Sequence, residues 1–317
     1  MAYSMTKVIF FGTGSVAASS LEFLRHHFDI EAVITKPRAP GHKGSVPVEE
    51  LATEHRLRTH FTESKKDLDN IIASNAFSST IGIVVDFGII ISQATISSFK
   101  FGIINSHFSL LPEWRGADPI TYSILSGQTK TGVSLMVIDA GLDTGKLITY
   151  RSLSIASNET TGSLTAKLID LSNSLLTEFL PRYLSGDVIP KNQPHPDRAT
   201  YSHKISKIDA EIDWREPAEV IERKIRAYQP WPKARTLLGS DKCIILDAEV
   251  IQDNMGLEPG TVAVSKELFI GCGSGSLRIE RIQPLGKKEM PVKAFLSGYS
   301  LVSHYWEPLP HHLISTK

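Results

Sequence analysis

The stretch Lys7-Val-Ile-Phe-Phe11, followed by Gly12-Thr-Gly14-Ser-Val-Ala17-Ala18, decides the fold class. A continuous run of β-branched and aromatic residues is typical of a strand that is buried on both faces of a parallel sheet. The two glycines predict a tight turn, and the residues from about Ser15 to His27 predict a helix. We therefore predict an α/β protein whose first part is a Rossmann-like, doubly wound and mostly parallel sheet.

The glycine turn has two interpretations. Gly12 and Gly14 fit the first half of a dinucleotide-binding fingerprint, and Glu31 is the only acidic residue near the expected distance. This interpretation would make the chain a nicotinamide-dependent oxidoreductase. The alternative is a tight turn that lets the helix pack on the sheet. We favour the packing turn because an alanine stands where the fingerprint has its third glycine.

Length, charge and cysteine usage narrow the class of protein. The chain has 317 residues, more than one typical domain, so we expect two domains. Its formal net charge is zero, so a surface for nucleic acid would have to be a local basic patch. Cys243 and Cys272 show no metal-binding spacing, and we interpret them as buried, reduced thiols.

No segment predicts export or membrane insertion. The start of the chain, Met1 to Lys7, has neither an apolar leader region nor an Arg-rich amphipathic stretch. The strongest apolar run, Ile81 to Ile91, is too short to span a bilayer and contains Asp86. We therefore expect a cytoplasmic protein with no membrane partner, and we expect it to be a monomer.

A polar stretch carries the candidate chemistry: Asn105-Ser-His-Phe-Ser-Leu-Leu-Pro-Glu-Trp-Arg-Gly116. It follows a short strand candidate, Phe101 to Ile104. If the strand continues, Asn105 and His107 lie on one face, because side chains two residues apart in a strand point the same way. The strand would end there, and ligands of open α/β sheets bind where strands end.

A second loop, Gly141-Leu-Asp143-Thr-Gly145, offers a carboxylate. It follows a predicted strand from Thr131 to Asp139, and its two glycines permit a tight, exposed turn at Asp143. Asp139 is the alternative carboxylate, and we prefer Asp143 because the glycines bracket it.

These groups suit an acyl-type transfer in which an amine attacks a carbonyl group. Asn105 and His107 would donate hydrogen bonds to the developing oxyanion, and Asp143 would help to remove the amine proton. The alternative is a structural histidine in a loop beside a strand-end asparagine.

The same residues resemble the folate-dependent formyltransferases. The resemblance rests on Asn105-Ser-His107 with Ser109-Leu-Leu-Pro112, on Arg115-Gly-Ala117 with Pro119-Ile120, and on Gly141-Leu-Asp143-Thr-Gly145. It implies 10-formyltetrahydrofolate as the formyl donor and Asn105, His107 and Asp143 as the catalytic residues. The sequence shows no metal-binding cluster, so we expect no metal.

The resemblance also implies a folate pocket. Two segments would contact the folate: Ser109, Leu110, Leu111 and Pro112 in the polar stretch, and the backbone of Phe87 and Gly88 after a strand from Ser79 to Val85. Three residues depart from the family's usual ones, so the pocket should differ in detail: Asp86, Ser92 and Phe108.

A change of composition marks the second part of the chain. From Ser185 to His203 the residues shift to Pro, Asn, Asp and Gly, which predicts a linker. We place the catalytic α/β domain at residues 1–188, the linker at 189–204 and a second domain at 205–317. Five short strand candidates between Ala234 and Gln283 predict a small OB-like β-barrel, a fold that often binds nucleic acid.

The second domain resembles that of the family members that act on tRNA, at Ile205-Ser-Lys207, Asp213-Trp214 and Leu285-Gly-Lys287-Lys288. This implies formyl transfer to the α-amine of methionyl initiator tRNA. The implied tRNA contacts are Lys36, Arg38 and Lys43 in a basic loop, and Lys207, Lys287 and Lys288 in the second domain. Two alternatives stay open: a formyltransferase for a small amine, such as a nucleotide-linked amino sugar or glycinamide ribotide, and a non-catalytic RNA-binding protein.

Overall fold

The computed structural model of the chain describes residues 5–39, 41, 44–239, 241–253 and 255–299. These residues form two compact units. The first contains the described residues of Met1–Pro119, Lys130–Ser154 and Thr165–His203, and the second contains those of Ile120–Thr129, Ile155–Leu164 and Lys204–Lys317. The chain therefore leaves the first unit twice and returns to it before it stays in the second.

The regular elements up to residue 203 are strands and helices, which alternate along the chain as far as residue 107. The strands are β1 (Lys7–Gly12), β2 (Asp29–Thr35), β3 (Thr59–Phe61), β4 (Gly82–Val85), β5 (Ile103–His107), β6 (Arg115–Gly116), β7 (Lys130–Val137), β8 (Leu147–Ser154) and β9 (Tyr201–Ser202). The helices are α1 (Gly14–Leu24), α2 (Pro47–Glu54), α3 (Lys65–Ser74), α4 (Gln93–Ser97), α5 (Pro119–Leu125) and α6 (Thr161–Leu184), with a 3-10 turn at Pro196–Arg198.

The first unit is built on a seven-stranded sheet in the order β3-β2-β1-β4-β5-β7-β8. The five strands from β3 to β5 are parallel, and β7 and β8 add antiparallel pairs at the far side. The chain runs outward to β3 and then crosses back to β4, so β1 and β4 flank the switch point of a doubly wound fold. Short β6 and β9 pair separately, in parallel.

The turn after β1 is shaped by close packing. Val8 to Phe11 are completely buried, as expected for a central strand. A Cβ on Gly12 would lie 2.6 Å from the Cβ of Ala17 and 2.9 Å from the carbonyl oxygen of Val85, so glycine lets α1 approach the sheet. The carboxylate of Glu31 accepts hydrogen bonds from Ser78 and Ser79. These bonds occupy the carboxylate that a dinucleotide site would use to bind a ribose. These contacts favour the packing turn over a dinucleotide site.

The second unit contains one antiparallel sheet. Its elements are α7 (Ala218–Ala227), β10 (Arg235–Leu238), β11 (Asp241–Ile251), β12 (Val262–Val264), β13 (Leu268–Gly271), β14 (Ser276–Pro284), β15 (Met290–Pro291) and α8 (Val292–Gly298). The strand order is β10-β11-β14-β13-β12, with β15 paired to β14. The five predicted strands are present, and the two-residue β15 is an addition.

The sheet of the second unit folds around a buried tryptophan. Trp214 is completely buried among the inward side chains of β11, β13 and β14, and its indole N–H donates to Thr236 Oγ1 (2.9 Å). The pairing of β11 with β14 shifts register around Asp247, which bends the long strand into a half-barrel. The predicted fold class, a Rossmann-like domain followed by a small OB-like β domain, is confirmed.

Two further sequence predictions concern burial. Cys243 and Cys272 are buried free thiols, as predicted, and burial raises the pKa of each to about 12. Within the described part of the chain, no helix has both the length and the hydrophobicity needed to cross a bilayer.

Candidate active site

Strand β5 carries Asn105 and His107 to the carboxyl edge of the sheet. The strand runs over Ile103–His107, so it starts later and extends further than the predicted Phe101 to Ile104. Ser106 points to the opposite face, where its Oγ lies 2.6 Å from the Oγ of Ser172. Asn105 and His107 therefore share one face, with Asn105 half-buried and His107 only 6% exposed.

The loop between β7 and β8 separates the roles of the two candidate carboxylates. Asp139 Oδ1 accepts hydrogen bonds from the N–H of Gly141 (3.0 Å) and from Thr144 Oγ1 (2.6 Å). Asp143 adopts a φ of 51°, a left-handed conformation that is uncommon for a residue other than glycine. Asp139 thus shapes the loop, whereas Asp143 is the carboxylate that faces the end of β5.

The side chains of Asn105, His107 and Asp143 meet at one point. Asn105 Nδ2 lies 3.4 Å from Asp143 Oδ1, and His107 Nδ1 lies 3.6 Å from Asp143 Oδ2. The N–H of Gly116 donates to the same Oδ2 (2.8 Å). His107 Nε2 lies 2.8 Å from the carbonyl oxygen of Trp114 and must carry a hydrogen there, because a carbonyl oxygen only accepts. The structure brings the three predicted catalytic residues together.

The hydrogen-bond partners define what this group can do. Both ring nitrogens of His107 face acceptors, so a protonated imidazole satisfies both contacts. The contacts of Asp143 with Asn105 and His107 are longer than ordinary hydrogen bonds, which leaves the Asn105 amide and the His107 Nδ1–H available to another group. The site therefore offers two donors and one carboxylate around a single point, as attack of an amine on a carbonyl requires.

The segment Ser109–Pro112 is fixed on β7 beside this point. Ser134 Oγ donates to the carbonyl oxygen of Ser109 (2.7 Å) and accepts from the N–H of Leu111 (3.1 Å). Leu110 is the one member of the four that keeps part of its side chain accessible. A folate bound here would meet Leu110 and main-chain groups rather than the Ser109 hydroxyl, which donates to a carbonyl within the loop.

The backbone after β4 is the second predicted folate contact. Phe87 is buried, and its ring packs edge-on against Phe11 with 5.6 Å between centroids. Gly88 is exposed with a φ of 64°, and its carbonyl oxygen accepts a hydrogen bond from Lys36 Nζ (3.1 Å). Exposed main chain at the carboxyl edge of the sheet, next to the switch point, fits a ligand that is held by backbone groups.

Asp86 precedes these residues and brings an additional charge to the edge of the sheet. The N–H and the Oγ1 of Thr13 both donate to the carbonyl oxygen of Asp86, each at 2.8 Å. The φ of Asp86 is 48°. The carboxyl group is accessible yet surrounded by protein atoms. This desolvation, together with nearby Asp118, raises its pKa to about 6, and Lys36 opposes the shift. Asp86 therefore changes charge close to neutral pH.

The predicted tRNA contacts have different surroundings. Lys36 donates to Gly88, and Arg38 donates to the carbonyl oxygen of Gly44 (3.0 Å) and to Glu50 (3.4 Å). Lys43 lies outside the described residues. Three lysines of the second unit are exposed and make no side-chain hydrogen bond or ion pair with any residue that the structure describes: Lys207, Lys287 and Lys288.

Beside the site lie Gln193, which was not identified from the sequence, and Arg115, which the sequence marked only as part of the family resemblance. Gln193 and Arg115 are buried and hydrogen-bonded to each other next to the loop of Asp143. Gln193 belongs to the Pro-rich segment that was interpreted as a linker, and no local pattern marks its contacts. Among the residues that the structure describes, no cluster of His, Cys, Asp and Glu could hold a metal ion.

Comparison with known proteins gives matches over almost the whole chain. The family model "Formyl transferase" matches residues 6–180, and "Formyl transferase, C-terminal domain" matches residues 204–300. The methionyl-tRNA formyltransferase of Methylococcus capsulatus is 36% identical over 301 residues, which cover 93% of this chain and 97% of that protein. That of Pseudoalteromonas translucida is 36% identical over 303 residues, which cover 93% of this chain and 94% of that protein.

Solved structures of sugar formyltransferases share the fold. An N-formyltransferase from Helicobacter canadensis, in complex with folinic acid and dTDP-3-aminofucose, gives a TM-score of 0.67 at 20% identity over 88% of this chain and all of that one. The sugar 3N-formyl transferase WlaRD, with dTDP and 5-N-formyl-THF, gives a TM-score of 0.68 at 22% identity, over 90% of this chain and 99% of that one. From the family models and the near-full-length relatives, the chain belongs to the formyl transferase family, among the methionyl-tRNA formyltransferases.

Proposed function

We propose that this enzyme transfers the formyl group of 10-formyltetrahydrofolate to the α-amine of methionyl initiator tRNA. The observation that carries the proposal is the convergence of Asn105, His107 and Asp143 at the end of β5. The relatives at 36% identity are named for methionyl-tRNA, which supports the acceptor. Folinic acid and 5-N-formyl-THF in enzymes of similar fold support a folate-derived donor.

Two donors of the site would stabilise the oxyanion. His107 Nε2–H is engaged by the carbonyl oxygen of Trp114, so Nδ1–H is the ring donor left for the reacting oxygen. Asn105 Nδ2 is the second donor, since its contact with Asp143 is long. As the neutral amine attacks the formyl carbon, the carbonyl oxygen gains negative charge, and both donors bind it more strongly than the uncharged carbonyl.

Asp143 would manage the proton balance. The amine nitrogen becomes positively charged when its bond to the formyl carbon forms, and the nearby carboxylate accepts its proton directly or through water. The bond between the formyl carbon and the folate nitrogen then breaks, and that nitrogen takes up one proton. The N–H of Gly116 holds Asp143 Oδ2 in place, which keeps the carboxylate beside the two donors.

The acceptor distinguishes this proposal from its main alternative. A formyltransferase for a nucleotide-linked amino sugar would use the same three residues, and a catalytic group does not identify the amine it serves. The sugar enzymes, however, resemble this chain at only 20% and 22% identity.

The test offers 10-formyltetrahydrofolate with charged initiator Met-tRNA in one assay and with a dTDP-linked amino sugar in another. We expect turnover with the tRNA alone. Transfer to the amino sugar without transfer to the tRNA would contradict the proposed acceptor.

Lysines of the second unit give a prediction about tRNA binding. Lys287 and Lys288 lie exposed between β14 and β15, without carboxylate partners among the described residues. We expect the double variant Lys287→Ala/Lys288→Ala to raise KM for Met-tRNA several-fold, with kcat nearly unchanged, because these side chains would contact phosphate rather than the reacting atoms. The salt dependence of log(kcat/KM) should flatten by about one unit per lost phosphate contact.

Lys266→Ala is the matched control. Lys266 is exposed in the turn between β12 and β13. The adjacent Glu267 pairs with Arg278, which also pairs with Glu249 and Glu280, so this turn has a local excess of acid that disfavours phosphate. We expect KM and the salt dependence of this control to match the parent enzyme. Equal effects of the two variants would show that no phosphate site lies at Lys287 and Lys288.

A further inference from the structure

The buried side chain of Gln193 bridges the backbone of the Asp143 loop. Its Nε2 donates to the carbonyl oxygens of Asp143 (2.7 Å) and Gly145 (2.9 Å), and its Oε1 accepts from Arg115 Nη2 (2.7 Å). Gln193 is 7% exposed, so these bonds form away from competing water. We infer that Gln193 is a positioning residue that holds Asp143 in its working geometry, an inference that rests on the catalytic role proposed for Asp143.

The chemistry of the partners fixes the orientation of the amide. Arg115 has only donors to offer, so the oxygen of the Gln193 amide must face it. The two carbonyl groups of the loop are only acceptors, so the nitrogen of the amide must face them. A single orientation satisfies all three contacts, and the amide links Arg115 to the main chain on both sides of Thr144.

Asp143 needs such support because its backbone conformation is unfavourable. Its φ of 51° is sparsely populated by residues with a side chain, and it persists where surrounding contacts enforce it. Asp139 holds the loop through Gly141 and Thr144. Gln193 holds the carbonyl group of Asp143 itself, and Gly116 holds its carboxylate. The glutamine therefore controls the peptide from which the catalytic side chain projects.

The segment around Gln193 is anchored without its side chain. Lys191 and Leu147 exchange two backbone hydrogen bonds, at 2.7 and 2.9 Å. Thr200 accepts from the N–H of Arg115 through its carbonyl oxygen (2.9 Å) and from the N–H of Trp114 through Oγ1 (2.9 Å). Replacement of the Gln193 side chain should therefore release the loop of Asp143 while the segment stays attached.

The test compares kcat and KM for Gln193→Met, which keeps the length of the side chain but removes the amide. We expect kcat to fall about 10- to 100-fold, as is common when a group that orients a reactive residue is lost. KM for folate and tRNA should stay within about twofold, since such a residue acts on geometry rather than on ground-state binding. Gln193→Asn, whose shorter amide cannot span both carbonyl groups, is a milder second variant and should show a smaller fall in kcat.

Gln229→Met is the matched control. Gln229 Nε2 also donates to two carbonyl oxygens, those of Ile225 (3.0 Å) and Leu246 (2.7 Å), but within the second unit. We expect the Gln229→Met variant to lower Tm by about as much as Gln193→Met does, while its kcat stays at the parental value. A parental kcat in Gln193→Met or in Gln193→Asn, or an equal loss of kcat in the control, would overturn the positioning role.

A double-mutant cycle with Asp143→Asn separates this inference from the proposed mechanism. If Gln193 acts through Asp143, Gln193→Met should cost little further activity in the Asp143→Asn background. Fully additive losses would overturn the inference. A parental rate for Asp143→Asn alone would instead overturn the proposed mechanism.

Discussion

Replacement of His107 by alanine is expected to lower kcat by about 100- to 1000-fold, the usual effect of removing one oxyanion donor. His107 is buried at the end of β5, with Nε2 held by the carbonyl oxygen of Trp114 and Nδ1 directed towards Asp143. The ring is therefore fixed before the substrate arrives, so it loses little energy to reorganisation when charge develops. KM for either substrate should change far less than kcat, because the donor acts mainly on the developing charge.

Steady-state kinetics of formyl transfer would check this expectation. His27→Ala is the control, because His27 is exposed on the same unit and its ring contacts Phe23, by stacking on the Phe23 ring and by a hydrogen bond to the Phe23 carbonyl oxygen (3.0 Å). The control should retain the parental kcat. A full rate in His107→Ala would remove the central residue from the mechanism.

The second large effect is expected for Asp143→Asn. The substitution keeps the shape of the side chain and an oxygen that can accept from Gly116, but it removes the negative charge and the proton acceptor. We expect kcat to fall by about 100- to 10000-fold, the range for loss of a general acid–base group. Single-turnover measurements at saturating folate and tRNA would place this loss in the chemical step.

Asp139→Asn provides the matched comparison, because Asp139 is the other carboxylate of the same loop. An asparagine oxygen can still accept from Gly141 and Thr144, so the loop should keep its conformation and kcat should stay within about threefold of the parent. The reverse pattern, an active Asp143→Asn and an inactive Asp139→Asn, would assign the carboxylate role to Asp139.

Local sequence patterns correctly predicted where some side chains of the candidate site lie. The alternation of a strand places Asn105 and His107 on one face, and the observed strand reaches His107. The glycines that bracket Asp143 signal a turn, and Asp143 adopts the left-handed conformation that such a turn allows. In both cases the information lies within a few residues of the side chain concerned.

Contacts between distant segments could not be predicted in the same way. Gln193 is distant from the Asp143 loop in the sequence but bonds to it in the structure. The Pro and Asn residues around Gln193 indicate only irregular structure. Lys36 carries a charge that suggests nucleic acid, yet it donates to the carbonyl oxygen of Gly88, which is itself a predicted folate contact. A side chain that bonds to main chain far along the sequence leaves no periodic or motif-like signal.

The strands of the second unit show that a strand must be long enough for its periodicity to be recognised in the sequence. The strand candidates from β10 to β14 have alternating or β-branched residues over three or more positions and were recognised. Strand β15 contains only Met290 and Pro291, too few residues for any period to appear. The predicted tRNA contacts Lys287 and Lys288 lie just before this strand, and they were named from the family resemblance rather than from strand periodicity.

The most direct test of the proposed function measures formyl transfer from 10-formyltetrahydrofolate to charged initiator Met-tRNA beside charged elongator Met-tRNA. Both acceptors present the same methionyl amine, so a difference reports recognition of the tRNA. We expect formylation of the initiator and little or none of the elongator. Absence of transfer to the initiator, with folate binding intact, would contradict the proposed acceptor and leave a small amine as the substrate.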